Sequence, residues 1–427
     1  DFVIENFKKR IFDIPIQDRS SLLRAFFFFY FVLCSWYTIR PVRNEMAVQA
    51  GLENLPGLLS IVLLVMLIAN PVYSWLVSRI NRNRIVLYFY LFFILNLLAF
   101  FFSWILLDAS WRPLVAKSFY IWCNVFSFFV VSIFWVSMIN YFSGSQAKLY
   151  FGIISAGGSI GAFSGSSIAR FFSTQVCGSV SLSDWGPFSL ILISVISLSI
   201  ACFLSMSFTS EKNERDKILA SGNISSSAIE PITDIATSPV LKNLSLYMVL
   251  WTCLMTFGWM IALGIVQEWS TDPCERTAFF ARIEQIVTPL TLICQFLLTS
   301  FILRTIGIRK VLIIYGFILF AAIYFYEIYP QIMTVLIVVS ILRTFEYGLS
   351  KPARESLFTK LEIEQRYKST VFMDTFFARG GEVIGSWFAA KGALILGLSS
   401  MGATLFMIPF AALLSWTGYR SSKLLDE

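Results

Sequence analysis

The sequence predicts an all-α integral membrane protein with twelve transmembrane helices in two pseudo-symmetric halves of six. Composition is the first reason, because 57% of the 427 residues are hydrophobic, only 14% are charged and the mean hydropathy is +0.73. A water-soluble domain cannot bury so much apolar surface, so the bilayer must be the solvent. A series of long apolar segments and a weak internal repeat are the second and third reasons.

Twelve apolar segments of about membrane-spanning length follow one another along the chain. They cover residues 21–39, 55–78, 85–107, 114–140, 149–172, 187–208, 243–266, 280–303, 311–326, 331–349, 368–396 and 400–419. This order assigns residues 1–208 to an N-terminal half, 209–242 to a linker and 243–427 to a C-terminal half. Residues 1–20 form an amphipathic lead-in that suits a helix on the membrane surface.

Two pairs of segments about 224 residues apart look like copies of each other. The basic turn 79–84 corresponds to 304–310, and the glycine-containing segment 157–161 corresponds to 380–385. A parallel repeat across the two halves of a membrane chain is typical of secondary transporters, whose binding site lies at the seam between the halves.

Glycines recur at helical spacing within both copies of the repeat. Gly157, Gly161 and Gly165 fall on one stripe of span five, and Gly381 and Gly385 do the same in span eleven. Small residues at this spacing let helix backbones approach closely. We therefore expect these stripes to serve helix packing rather than contact with a solute.

Basic residues concentrate at the span ends that lie on the same side as both termini. The opposite ends receive far fewer, chiefly Arg40, Arg43, Arg112, Lys117, Arg276 and Arg282. Because basic loops stay on the cytoplasmic side, both termini are expected in the cytoplasm of a bacterium, with the chain in its inner membrane. The net charge of +7 follows from this topology and requires no nucleic acid.

The seven cysteines are expected to be free thiols. Five lie within spans as ordinary small apolar residues. Only Cys177 and Cys274 lie on the outer side, where a disulfide has an opportunity to form.

Several kinds of chemistry are excluded. The sequence has no GxxxxGK[ST] motif for ATP hydrolysis and no histidine for a proton relay. It also lacks paired histidine ligands and a separate soluble domain, which disfavours a membrane-embedded enzyme or a receptor. We expect no cofactor, no bound metal and a monomer.

Charged residues within apolar spans are the strongest indication of a functional site, because each costs roughly 3 kcal/mol to insert at the bilayer centre. Span eleven contains Asp374, Arg379 and Glu382, and Arg379 lies near the middle of the hydrocarbon core. Span ten adds Arg343 and Glu346, which are three residues apart on one face and are candidates for an ion pair.

These charges and others from spans one and eight define a candidate site. The expected solute contacts are Arg40, Arg43, Arg282, Arg343, Arg379, Tyr37 and Tyr347, and the expected charge-balancing or proton-coupling groups are Glu284, Glu346, Asp374 and Glu382. A guanidinium binds carboxylate or phosphate through paired hydrogen bonds, so the set favours an anionic solute. Ion pairs that only neutralise one another are the structural alternative.

Six motifs lie across nearly the whole chain. They are Tyr37–Met46, Asn54–Pro56, Gln146–Gly152 with the glycines that follow, Arg343–Tyr347, Lys351–Glu355 and Arg366–Gly381. Together they resemble a bacterial branch of the major facilitator proteins that is similar to the ATP:ADP antiporters, the nucleotide translocases of plastids and obligate intracellular bacteria.

This resemblance implies the major facilitator fold, alternating access and nucleotide exchange. It places Arg43 at a basic position late in helix one that contacts nucleotide phosphates, and Arg40 at the arginine three residues earlier. Arg43 stands where the translocases have lysine, and Pro41 interrupts the run. The expected function is thus exchange of a small anionic solute, such as ATP for ADP, across a lipid bilayer. A proton-coupled carrier for another anionic metabolite or a siderophore is the alternative.

Overall fold

Twelve long helices make up the parts of the chain that the structure describes. This computed structural model describes residues 16–79, 82–142, 147–177, 186–208, 235, 237–358 and 372–424. The first six helices are α1 (Ile16–Gln49), α2 (Leu55–Arg79), α3 (Arg82–Leu106), α4 (Arg112–Tyr141), α5 (Ala147–Gln175) and α6 (Leu190–Ser205).

The second six helices contain several interruptions. They are α7 (Pro239–Trp269), α8 (Pro273–Ile293, Cys294–Leu298 and Thr299–Thr305), α9 (Ile308–Ile328), α10 (Ile332–Phe345, Glu346–Ser350 and Lys351–Phe358), α11 (Met373–Phe377, Ala378–Trp387, Phe388–Gly392 and Ala393–Leu396) and α12 (Ser400–Leu405 and Ile408–Leu424). The short middle segments of α8 and α10 are π-helical turns.

The predicted all-α membrane fold is confirmed. Ten of the described helices are long and apolar enough to cross a bilayer. The other two, α5 and α11, carry the glycine stripes, and α11 also carries charged residues. Helix α5 packs between α1 and α8, and α11 packs between α7 and α2. Residues 1–15 of the predicted lead-in (1–20) and residues 209–234 and 236 of the predicted linker (209–242) lie outside the described residues. Residues 16–20 begin α1, and α7 begins four residues before the predicted start of span seven.

Successive helices run in alternating directions, so α1 begins and α12 ends on the same face of the molecule. We call this the terminal face and the opposite one the distal face. One apolar core lies within α1–α6 and a second within α7–α12. A third apolar cluster joins the two sets near the distal face, where Ala47 and Leu58 of the first set meet Leu263 and Phe280 of the second.

The glycine stripes pack helix backbones together, as predicted. A Cβ atom at Gly161 would lie 2.1 Å from the carbonyl oxygen of Tyr30 in α1, and one at Gly385 would lie 2.2 Å from that of Cys253 in α7. Each set of six therefore holds its fifth helix against its first by the same close approach. Side chains larger than hydrogen have no room at these contacts.

The expectation that all cysteines are free is wrong. Cys177, just beyond the end of α5, and Cys274, in the first turn of α8, form a disulfide with a Cα–Cα distance of 5.9 Å. The two meet because α5 and α8 pack against each other, with the end of α5 and the start of α8 at the distal face. The other five cysteines are buried and free.

Replacing Gly161 by alanine should separate α1 from α5 and lower the free energy of unfolding by about 1–3 kcal/mol, as overpacking does elsewhere. Gly152 is the matched control on the same helix, because a methyl group added there would lie more than 4 Å from every neighbouring helix that the structure describes. Gly152→Ala should be neutral or stabilising by up to about 1 kcal/mol. Thermal unfolding of the purified variants in detergent measures both, and equal midpoints would contradict the packing role.

Candidate functional site

A cavity of about 600 Å³ lies between the two sets of helices. Its volume is within the range of about 300–1,000 Å³ that is typical of small-molecule sites. The lining residues are Phe29, Leu33, Tyr37, Trp135, Ser155, Ser159, Ala162, Val287, Thr288, Thr291, Leu292, Gln295, Tyr347, Lys351, Pro352 and Glu355. Tyr37, Val287 and Tyr347 mark its deep end, near the middle of α8 and α10, and the other residues extend towards the terminal face.

Arg40, Glu284 and Arg343 form an ion-pair triad about one helical turn beyond the deep end of the cavity. Arg40 Nη1 lies 3.1 Å from Oε2 of Glu284, and Arg343 Nη1 donates a hydrogen bond to Oε1 of the same carboxylate. The Glu284 side chain is 1% exposed. The triad ties α1 of the first set to α8 and α10 of the second. With two guanidiniums and one carboxylate, it has an excess of one positive charge.

Aromatic rings hold both guanidiniums of the triad. The guanidinium carbon of Arg40 lies 5.2 Å from the ring centroid of Tyr37, and that of Arg343 lies 5.2 Å from the ring centroid of Trp259 in α7. Arg40 Nε is buried and has no hydrogen-bond acceptor within the described residues. Since a buried donor without a partner costs about 1–3 kcal/mol, this nitrogen remains available to an incoming acceptor.

The π-helical turns of α8 and α10 shape the cavity wall. A π turn frees backbone carbonyls from the regular helical pattern. Gln295 Nε2 donates to the carbonyl oxygen of Tyr347 at 3.0 Å, and Thr299 Oγ1 donates to that of Gly348 at 2.5 Å. These bonds fasten the two irregular turns to each other, which fixes Tyr347 and Gln295 at the cavity surface.

The other predicted arginines lie outside the triad. Arg43 is half-buried and donates to Oδ1 of its neighbour Asn44 at 2.8 Å. Arg379 donates to Glu382 of its own helix at 2.8 Å. Arg282 is exposed and shares a helix face with the exposed Ile293 three turns later. It therefore points away from Glu284, about 200° around α8.

The expected ion pair between Arg343 and Glu346 is wrong, because each has a different partner. Arg343 reaches Glu284, whereas the buried Glu346 lies 3.5 Å from Nη1 of Arg354, one π turn and one helical turn further along α10. The guanidinium of Arg354 stacks 4.3 Å from the ring centroid of Trp251 in α7. The predicted pair fails because α8 packs beside α10 and brings the Glu284 carboxylate against Arg343. Asp374 is exposed.

Sequence reasoning missed the polar wall that α8 contributes. Thr288, Thr291 and Gln295 line the cavity on the same helical face as Glu284. They follow Glu284 by four, seven and eleven residues, a helical spacing that marks a polar stripe within an apolar span and was a usable signal. The buried hydroxyl oxygen of Thr291 has no hydrogen-bond partner within the described residues, so it can bond to a solute.

No protein-family model and no curated protein matches this chain. Solved transporter structures match its fold. The nucleoside transporter NupG superposes with a TM-score of 0.62 at 13% identity, over 95% of this chain and 99% of that one. A POT family transporter in complex with a thioalcohol-conjugated peptide superposes with a TM-score of 0.64 at 11% identity, over 98% of this chain and 100% of that one. A D-xylose-proton symporter superposes with a TM-score of 0.63 at 10% identity, over 95% of this chain and 96% of that one. The chain therefore has the major facilitator fold.

Removing the carboxylate of the triad should destabilise the protein. Glu284→Gln leaves Arg40 and Arg343 buried without a counterion, which should lower the free energy of unfolding by about 3–5 kcal/mol. The control is Glu355→Gln at the cavity mouth, where the exposed pair with Lys351 at 3.8 Å should contribute less than about 1 kcal/mol. Unfolding midpoints in detergent report both changes. A loss of stability no larger for Glu284→Gln than for the control would show that the triad does not hold the two helix sets together.

Proposed function

We propose that this chain is a secondary active transporter, and not an enzyme, that moves an anionic solute by alternating access. The observation that carries the proposal is the triad of Arg40, Glu284 and Arg343 at the closed end of a cavity between the two helix sets. A surplus guanidinium at this depth is costly unless it serves a ligand. The fold supports the same conclusion.

In this proposal residues 1–208 and 243–427 are the two moving halves, with 209–242 as their linker. The cavity extends towards the terminal face, and the distal side of the triad is covered by the apolar cluster that joins the halves. The distribution of Lys and Arg supports placing the terminal face in the cytoplasm of a bacterium, with the chain in its inner membrane. The described conformation is then the one that loads or releases solute on the cytoplasmic side.

A nucleotide, exchanged as ATP for ADP, is the solute we propose. A phosphate oxygen is a charged acceptor that can take the place of the Glu284 carboxylate between two arginine forks. The rings of Tyr37, Trp135 and Tyr347 at the cavity wall offer stacking surfaces to a planar base. The resemblance of the motifs around Arg40 and Arg43 to those of the nucleotide translocases supports this choice.

A proton-coupled carrier for another anion is the second candidate. It is favoured by the position of Glu284, a buried carboxylate that ties α1 to α8 through Arg40. Protonation of this carboxylate would release Arg40 and so loosen one half from the other. An exchanger requires no such step, because the counter-solute resets the carrier.

Arg40→Gln should abolish counterflow of labelled ATP into proteoliposomes that are preloaded with ADP, because the phosphate loses one of its two forks. Arg40→Lys should retain weaker transport, since the charge stays and the paired geometry is lost. Arg282→Gln is the matched control, an exposed arginine at a similar depth that faces away from the cavity. Transport that survives Arg40→Gln, or that fails equally in Arg282→Gln, would contradict the proposed site.

The two candidates differ in what drives uptake. An exchanger should take up labelled nucleotide only into vesicles loaded with nucleotide, and an imposed pH gradient should change the rate little. A symporter should accumulate solute in empty vesicles when the gradient is imposed. Accumulation that follows the gradient alone would replace the exchange proposal with the proton-coupled one.

A further inference from the structure

Two links between the helix sets meet at one corner of the distal face. The first is the disulfide of Cys177 and Cys274. The second is an ion pair two residues further along α8, where Arg276 Nε donates to Oε2 of Glu45 at 2.7 Å and its Nη2 donates to Oε1 at 2.5 Å. The Glu45 side chain is fully buried. We call these four residues the clasp.

Further polar contacts continue from the clasp along the seam between α5 and α8. Gln285 Nε2 donates to Ser167 Oγ at 2.9 Å, and Arg170 Nη1 donates to Oε1 of Gln285 at 3.0 Å. This seam is therefore held by a covalent bond at its distal end and by directional hydrogen bonds below it.

The opposite seam, between α2 and α11, is held differently. Its polar contact among the described residues is one exposed hydrogen bond at 3.2 Å, from Trp387 Nε1 to Ser60 Oγ. Next to it lies the apolar cluster, to which α2 contributes Leu58 and α7 contributes Leu263. Apolar contacts have no preferred direction, so this side can separate or slide without breaking strong bonds.

The disulfide restricts how far α5 and α8 can part. Disulfides hold their two Cα atoms within about 6.8 Å of each other, and here the distance is already 5.9 Å. Cys177 is 1% exposed, and Cys274 is half-buried. If the distal face is extracytoplasmic, it also lies on the oxidising side of the membrane, where disulfides persist.

We infer that the clasp is a permanent hinge, so that the distal face opens at the α2–α11 seam while α5 and α8 remain tied. This inference rests on the proposed function, since it concerns how two halves rock. It makes the opening asymmetric: solute enters or leaves the distal side next to α2 and α11. A transporter that opens both seams equally would have to break the disulfide in every cycle.

Distances between spin labels test the hinge directly. One labelled pair, Thr174→Cys with Thr271→Cys, crosses the clasped seam, and a second, Glu53→Cys with Leu394→Cys, crosses the opposite one; all four positions are exposed near the distal face. The five buried free cysteines are replaced by alanine in both proteins. Distances are recorded by electron spin resonance in lipid nanodiscs without solute, with ATP and with ADP, from pH 5 to pH 8.

The hinge predicts that the distance between the labels at Glu53 and Leu394 lengthens, or its distribution broadens, by several Å. The distance between the labels at Thr174 and Thr271 should change by no more than about 1 Å. The same measurement in Cys177→Ser with Cys274→Ser is the control, and there the clasped pair should gain the longer distances as well. Equal lengthening of both pairs in the disulfide-bonded protein would overturn the hinge, as would movement at either seam only after the disulfide is removed.

Transport assays separate this result from the proposed function. The disulfide is judged intact when Cys177 and Cys274 have no reactive thiols. Counterflow by the wild-type protein should then proceed at a rate within about twofold of its rate after reduction with a dithiol. Transport that requires the reductant would make the disulfide a lock and reject the hinge. A wild-type protein that carries no nucleotide but lengthens only at the Glu53–Leu394 pair would keep the hinge and reject the solute.

Discussion

The buried carboxylate of Glu284 is the group on which the rest of this account depends. It neutralises Arg40 from one helix set and Arg343 from the other, at the depth where the cavity ends. Buried ion pairs contribute little net stability compared with apolar packing, because desolvation offsets most of the attraction. In the proposed transporter, a ligand that competes for the same arginines explains their presence between the two helix sets better than stability alone.

The two seams between the helix sets are held by different kinds of contact. Glycine stripes hold α5 on α1 and α11 on α7, so each helix set is packed tightly within itself. The clasp of Cys177, Cys274, Glu45 and Arg276 then ties the halves at one distal corner. The cavity extends towards the terminal face. In the proposed hinge, opening of the distal face is confined to the α2–α11 seam.

Much of the fold followed from the sequence because it depends on properties that are local along the chain. Apolar length predicted the spans, and glycine spacing predicted which helix faces pack closely. The partners of the charges depended instead on helices far apart in sequence. Arg40 and Arg343 were expected at the site, but their shared partner on α8 required the packing of three helices. The predicted Arg343–Glu346 pair failed because Arg343 meets Glu284 on another helix and Glu346 meets Arg354. Arg282 failed to join the triad because helical periodicity turns it away from Glu284.

Equilibrium binding of ATP to purified protein, compared between wild type and Glu284→Gln, tests whether an anion binds between Arg40 and Arg343. If the phosphate replaces the Glu284 carboxylate between Arg40 and Arg343, removing that competitor should tighten ATP binding by about tenfold or more, which is about 1.4 kcal/mol, and leave binding of uncharged adenosine unchanged. Weaker or unaltered ATP binding in a folded Glu284→Gln protein would show that the anion does not bind at the triad.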